Sequence, residues 1–579
     1  MTSYPTRGAL AVGLLAALIA LALFLPGLGR APFDDPGEGQ HAEIAHEAWR
    51  SGDFVTLRLN GVRYFDKPPL LYLAQAAAFS VAGVSERAAR LAPVAGAALA
   101  ASGVAVLGTR LLGPGAGLLA AVALLSSPLL AAFARYVRPE TLFLAAIQWG
   151  MTGLLLGWRE GKRPWILVGC VALGLAALAK DPLGLLGPPA AVAVALGLAG
   201  RLRPVAAWLP PLGVALVAVV GLGWYAMAAL RNEGFLWYVL VDNHARNAAL
   251  ARLYPDEDVP ITALEFAATT LLGAFPWIVP ATLAALAVVR RRAWRDPGEA
   301  PWVALTLWAV GCVALFLVLP FRLPHYGLPA YPALALLAAR WWRERRVAGA
   351  RAAAWLHAAL LLPVALVCVV GARSDGRLFT DVVLGVSDVT TRKATTLASG
   401  VTLHPLWTFF AGLLGSTAMT FAVGAACLVW LGLRRRPGAM VVALVMILTV
   451  PTVGLALGAL SASRTVAPMA QVIASRVRAD ERLVHEGPLE ASGALELYSG
   501  RRPALLDGTR SVLAYGATFP EARETFWTRE RFRREWLGGG TVWLLTPRAP
   551  DRSVMAEIPA ERRELVFEAN GRRLYVNRP

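Results

Sequence analysis

Apolar runs of close to 20 residues, separated by short basic turns, recur along most of this chain and leave few folds open to it. A bilayer core about 30 Å thick takes roughly 20 apolar residues of helix. Such runs lie near 8–28, 88–110, 115–134, 139–158, 164–180, 182–200, 205–229, 264–289, 301–320, 324–340, 352–372, 405–433 and 438–460. The pattern predicts an α-helical polytopic membrane protein with about 13 transmembrane helices. With 57% hydrophobic and 16% charged residues, an ordinary soluble globule is excluded.

The turns predict the orientation. With the N-terminus inside, the connections 110–114, 159–164, 201–204, 290–295, 340–351 and 434–437 are cytoplasmic, and each is short and basic, as Lys and Arg prefer. Segments 29–87, 230–263, 373–404 and everything after 460 then face outward and carry most of the acidic residues. In a soluble protein the net charge of +18 would suggest nucleic acid. Here it concentrates in the inner turns, where lipid head groups are the partner, and no nucleic acid is expected. Cys170, Cys312, Cys368 and Cys427 all fall in apolar runs and read as small core residues. The first run is longer than the apolar part of a signal peptide, and GLGRAPF lacks a small-x-small cleavage pattern, so a retained helix is expected. After residue 460, RLVHEG, RPALLD, ERFRREWL, TVWLLTP and RRLYVNRP alternate strand and helix signals. The expected division is a membrane part, 1–460, whose outer loop 29–87 holds the active-site acids, and an outer soluble α/β domain, 461–579, acting as a structural cap.

The residues with chemical potential gather in segment 34–69 and at the outer helix ends. Asp34, Asp35 and Glu38 precede a helical stretch on which Glu43 and Glu47 share a face. The segment ends Asp66-Lys67-Pro68-Pro69. Lysine is rare here: Lys67, Lys162, Lys180 and Lys393 stand among 56 basic residues. A lysine kept in an arginine-rich chain suits a compact point charge approaching a phosphate. Topology brings Lys67, Lys180, Arg135, Arg138 and His325 to the same outer face, against the charge bias of such positions, and a phosphate is the economical reason. Proline breaks at Lys180-Asp181-Pro182, Phe275-Pro276-Trp277 and Leu323-Pro324-His325 fit irregular backbone lining a cavity. Cations beside carboxylates point to group transfer from a phosphorylated lipid.

DDPGEGQHAEIAHEAWRSGDFVTLRLNGVRYFDKPPLLY, ARYVRPETLF, ALAKDPLGLL, GAFPWIVP and RLPHYGLPAYPALALL, in this order and followed by an α/β domain, resemble the GT-C membrane glycosyltransferases, in the group of the lipid A aminoarabinose transferases and, more distantly, the protein O-mannosyltransferases. The resemblance implies an inverting enzyme of the bacterial inner membrane, with its active site and C-terminal domain facing the periplasm. It would move a sugar from a polyprenyl-phosphate carrier of undecaprenyl type to lipid A, another envelope glycolipid, a polysaccharide or a protein. The family's first loop reads Asp-Glu-x-Arg-Tyr-Ala-Glu-Ile; aligned on Ala42-Glu43-Ile44, Gly37 takes the place of its leading, catalytic Asp. Asp35 or Glu38 is expected to supply the carboxylate, Asp35 by preference, and Gly37→Asp is expected to be tolerated in the glycine-rich turn. The resemblance further implies phosphate contacts from Lys67, Arg135, Arg138, Lys180 and His325, and an acceptor and sugar pocket with His41, Glu43, Glu140, Asn243 and His244. Asp66 and His325 make at most two metal ligands, where a closed zinc site has about four, so no cofactor is required and a divalent ion is only an option. A transporter or flippase would show inverted repeats and charges at mid-bilayer, and the chain shows neither. A non-catalytic envelope scaffold is the other alternative, encouraged by Gly37.

Overall fold

The computed structural model describes residues 5–35, 37–256, 258–345, 349–376 and 407–577; Lys393 and nearly all of the expected outer loop 373–404 lie outside them. Among the described residues eight helices are long and apolar enough to cross a membrane: Thr6–Phe24, Glu86–Leu112, Glu140–Glu160, Pro211–Arg231, Pro297–Val318, Ala350–Arg373, Trp407–Leu433 and the apolar part of Ala439–Arg476. Ala263–Gly273 and Ile278–Arg290 make a ninth if counted as one span, bent by 102° at the Phe275-Pro276-Trp277 break. Shorter apolar helices, Leu70–Ala82, Pro114–Leu125, Arg163–Ala179 and Gly184–Leu198, pack among them. Exposed Leu14, Val81, Leu230 and Met440 face where lipid would lie.

Without water to drive helices together inside a bilayer, close backbone approach does the work. Gly150, Gly153 and Gly157 turn one edge of Glu140–Glu160 towards Arg163–Ala179, and a Cβ added at Gly153 would meet the Gly169 Cα at 2.4 Å. The two helices cannot pack this closely with any larger residue there.

The expected 13 spans stand against eight or nine helices long enough to cross among the described residues, and two further expectations differ. The run 324–340 is a 3-10 turn, Pro324–Ala330, leading into a helix of 14 residues, Tyr331–Glu344, because prolines interrupt its start and Arg340 is held at its end by Glu299 and Glu344. Leu70–Ala82, directly after the paired prolines, was not expected as a helix and packs against the loop helix Gly39–Ser51.

The outer loop begins with that helix and continues into a hairpin, β1 (Arg58–Leu59) and β2 (Val62–Arg63). Its turn is Asn60-Gly61, both at positive φ, 55° and 75°, as a tight two-residue hairpin requires. Asn60 also donates to the Pro503 carbonyl at 3.0 Å. The C-terminal strands are β3 (Arg482–Glu486), β4 (Ala504–Leu506), β5 (Phe526–Trp527), β6 (Val542–Thr546), β7 (Arg563–Ala569) and β8 (Arg572–Asn577), in the order β5-β4-β3-β6-β8-β7. The first four run parallel and β8 and β7 are antiparallel additions.

A parallel sheet needs cover on both faces. Val484, Leu506 and Leu544 pack on Phe532, Trp536 and Met555. Their alternates Leu483, Leu505 and Leu545 share a core with Ala42, Ile44 and Ala45 of the loop helix. The outer loop and the C-terminal sheet therefore form one packed unit.

Candidate active site

The acids at the start of the loop are consumed by structure. Glu38 is buried and accepts from Arg90 Nε at 2.9 Å and Nη2 at 2.6 Å, and from the backbone N–H groups of Val137 at 2.9 Å and Asp34 at 3.1 Å. Arg90 spends its remaining donors on the carbonyls of Leu28, Ala31 and Pro32. Asp34 pairs with Arg464 at 2.8 and 2.9 Å and accepts the Tyr136 hydroxyl at 2.6 Å. Asp35, 2% exposed, accepts the N–H groups of Val466 at 2.9 Å and Ala494 at 3.1 Å. These contacts tie the loop to the last membrane helix and the C-terminal domain.

Burial pushes the Asp35 carboxyl up to about 7, against the opposing pull of Arg572 and the two N–H donors. A carboxyl whose folded value lies above its ordinary 3.8 makes the folded state bind its proton more tightly, so stability falls as pH rises from about 4 to about 7. Glu47, pushed up to about 7 mainly by burial, adds a slope of the same sign. Asp35→Asn is expected to flatten the fall of the thermal midpoint between pH 4.5 and 7.5 relative to wild type; an unchanged slope would show that Asp35 is ionised throughout.

Gly37 is not an open position. A Cβ there would fall 1.7 Å from the Tyr136 hydroxyl. The expected tolerance of Gly37→Asp is corrected on this geometry: any side chain must first push Tyr136 away from Asp34.

A second group of residues is differently arranged. Glu140, at the first turn of its helix and 4% exposed, holds Lys180 at 3.1 Å and His325 Nε2 at 3.2 Å through one oxygen, while its Oε2 has no partner. Lys180 stands at the proline break, with its ammonium 4.8 Å from the centre of the Tyr326 ring. Burial opposes the charge of Arg138, yet Glu140, Tyr136 and Asp258 act on it and raise it above the ordinary arginine value. Lys67 donates only to the adjoining Asp66 carbonyl, at 3.3 Å. Both cations act on His41, which also feels Glu140 and Asp258. The sequence-derived set Lys67, Arg138, Lys180, His325, His41 and Glu140 is thus one electrostatic neighbourhood where three spans end.

The remaining expected residues are placed elsewhere. Arg135 caps the end of the first helix, donating to the carbonyls of Phe24 at 2.8 Å and Pro26 at 2.9 Å, so it is not part of the phosphate group. Glu43 sits beside Glu47 and Glu496 where the loop helix meets the C-terminal domain. Arg502 answers this cluster at 3.2 and 2.9 Å, so Glu43 belongs to a junction and not to the pocket. His244 bonds Asp181 at 3.2 Å; burial opposes its charge, yet the bond and charge of Asp181 raise it above the ordinary histidine value. Asn243, on the same π-helical stretch Tyr238–Arg246, is half-buried.

Asp66 accepts the Tyr238 hydroxyl and lies 3.9 Å from Arg252. Asp66 and His325 therefore answer to different partners, and neither belongs to any group of three potential metal ligands among the described residues. The donor set does not fit a metal. Sequence reasoning missed Tyr238, Arg252 and Tyr326, which have no spacing to mark them; Arg252 joins the site by pairing with Asp66, Asp242 and Asp256.

Comparison with known proteins adds to this geometry. Residues 66–225 match the family model of dolichyl-phosphate-mannose-protein mannosyltransferases. An undecaprenyl phosphate-alpha-4-amino-4-deoxy-L-arabinose arabinosyl transferase of Sodalis glossinidius is 31% identical over 58% of this chain and 60% of its own length. Its counterpart in Pseudomonas aeruginosa strain UCBPP-PA14 is 29% identical over 55% of this chain and 58% of its own. The chain thus spans about three-fifths of the length of the curated relatives it matches. The crystal structures of ArnT from Cupriavidus metallidurans, in the apo state and bound to undecaprenyl phosphate, superpose with TM-scores of 0.78 and 0.77 over 97% of both chains, at 22% identity. The chain thus shares the fold of the ArnT structures over nearly its whole length, and its residues 66–225 resemble the protein mannosyltransferase family.

Proposed function

We propose that this protein transfers a sugar from a polyprenyl-phosphate carrier of undecaprenyl type to an acceptor of the cell envelope, at the outer face of the inner membrane. The observation that carries the reading is the gathering of Lys67 and Arg138, whose charges both act on His41, beside the Glu140-held Lys180. Cations gathered at a membrane interface are costly to keep together unless an anion arrives to share their charge, and Glu140 and Asp258 offset Arg138 only in part. The curated relatives are named as transferases that use an undecaprenyl-phosphate sugar, which supports the same assignment.

In the proposed reaction an acceptor oxygen attacks the anomeric carbon from the face opposite the carrier. The carbon–oxygen bond to the phosphate breaks, and its electron pair stays on the phosphate oxygen. Lys67 and Arg138 then stabilise the charge that develops there, a stabilisation larger in the transition state than in the bound donor. Glu140 orients Lys180 towards the same anion. No protonation of the leaving group is needed, because phosphate leaves readily as an anion.

The loop supports one acceptor class. Asp35 and Glu38 spend their oxygens on Val466, Ala494, Arg90 and Val137, and Gly37 brings no carboxylate, so we place these acids as positioning groups. An acceptor that needs no base is already an anion, and a lipid-linked phosphate such as those of lipid A meets that condition. The basic inner turns favour a periplasmic site. Cysteines introduced at exposed Ser51 and Asp551 should react with an impermeant thiol reagent added from the periplasmic side; protection of both would reverse the orientation.

The test of function is transfer. Purified protein in detergent or nanodiscs, given a radiolabelled undecaprenyl-phosphate sugar and lipid A, should move label to the lipid and release undecaprenyl phosphate. Stable donor with every phosphorylated, glycolipid and peptide acceptor tried would count against the proposal.

A further inference from the structure

The surroundings of His41, on the loop helix Gly39–Ser51, are unusual. The ring is 1% exposed, its Nδ1 lies 3.0 Å from the Tyr72 hydroxyl, and its Nε2 is buried with no hydrogen-bond partner. A buried polar atom left without a partner is costly, so such atoms are kept mainly where something else completes them. Tyr72 is itself buried, with its ring edge-on to that of Tyr64, so the hydroxyl that meets Nδ1 is held in place. The charged groups acting on the imidazole are Arg138, Lys67, Glu140 and Asp258. Two of these are the cations of the proposed phosphate site.

We propose that His41 is a direct phosphate ligand, donating a hydrogen bond from Nε2–H to an oxygen of the carrier phosphate, with the Tyr72 hydroxyl donating to Nδ1 and fixing the tautomer. The inference rests on the proposed function and names a further residue of that site. If Nε2 were instead an acceptor, the free ammonium of Lys67 would be its natural donor, yet the two make no hydrogen bond. Burial first, and then the charges of Arg138 and Lys67, hold the ring well below the ordinary histidine value. It therefore enters as a neutral donor beside two cations, which adds directional recognition without adding a third positive charge to be desolvated.

The test compares two amide replacements by affinity for undecaprenyl phosphate, the carrier without sugar. His41→Gln can place an amide N–H near the position of Nε2, whereas His41→Asn reaches only as far as Nδ1. Wild type and His41→Gln should bind within a few-fold of one another, and His41→Asn about 10- to 100-fold more weakly, the range for losing a hydrogen bond to a charged group. Thermal midpoints confirm that both variants are folded. Equal losses in the two variants would assign His41 a purely structural role through Tyr72. Wild-type binding by both, with only turnover lost, would make it a base for the acceptor. Either result overturns the inference and leaves the transferase reading intact, whereas failure of wild type to bind the carrier at all would remove the reading on which both rest. Tyr72→Phe offers a second route, because it releases the tautomer while keeping the ring. It should weaken carrier binding several-fold, and unchanged binding would count against the proposed chain of donors.

Discussion

Lys67→Ala is expected to lower sugar transfer by about 10²-fold or more, the loss that follows removal of one positioned donor from a developing anion. The side chain is half-buried and, among the described residues, its only hydrogen bond goes to the neighbouring Asp66 carbonyl, so folding has little to lose and the thermal midpoint should stay near wild type. Lys67→Arg should recover part of the activity, since the charge returns but the planar fork is wider and directs its donors differently. The checking measurement is turnover alongside thermal unfolding of the same preparation. Near-normal turnover in the alanine variant would remove Lys67 from the site. A large drop in stability would show that the residue had been misread as uncommitted.

Glu38→Gln is expected to have the opposite profile. Glu38 and Arg90 form a buried pair with side-chain exposures of 1% and 5%, and removing one charge of such a pair leaves the other without compensation, at a cost of about 3–5 kcal/mol. Arg90 also holds the carbonyls of Leu28, Ala31 and Pro32, so the whole entry to the loop should loosen. Thermal unfolding in detergent should show a clearly lower midpoint, while turnover per folded molecule at low temperature stays within about ten-fold of wild type, well short of the loss of a reacting group. A stable protein with abolished turnover would return Glu38 to the list of reacting groups.

These two outcomes separate what the sequence could disclose from what only the fold could. The lysines at the site were legible because lysine is rare in this chain and because Lys67 and Lys180 stand beside prolines at span ends, where a cation needs a reason. Topology brought Lys180 and His325 to one membrane face, whereas Glu140, at the start of its helix, joined them only through the resemblance. Short apolar runs, Leu483-Val484 and Val542 to Leu545, announced β3 and β6, although not that one face of the sheet shares a core with the loop helix. The loop acids were misplaced for a different reason. Arg464 and Val466 lie 430 and 431 positions from Asp34 and Asp35, so nothing local distinguished a tie between distant segments from a group facing a substrate. Arg135 misled in the same way, because a basic residue at an outer helix end serves a phosphate or a row of free helix carbonyls equally well. The Gly37 position looked permissive by its residue type, yet a tyrosine brought in from the 134–139 turn fills the space a side chain would need.

The central claim is that Lys67, Arg138 and their neighbours bind the phosphate of a lipid carrier, and the most direct measurement is the affinity of the wild-type protein for undecaprenyl phosphate against undecaprenol in nanodiscs. The two ligands share the same chain and differ only in the anion. The account predicts that the phosphate binds at least about 100-fold more tightly, as charge-assisted contacts from two or more cations require, and that Lys67→Ala removes much of this difference. Equal affinity for the alcohol and the phosphate, or a preference that survives loss of Lys67, would contradict it.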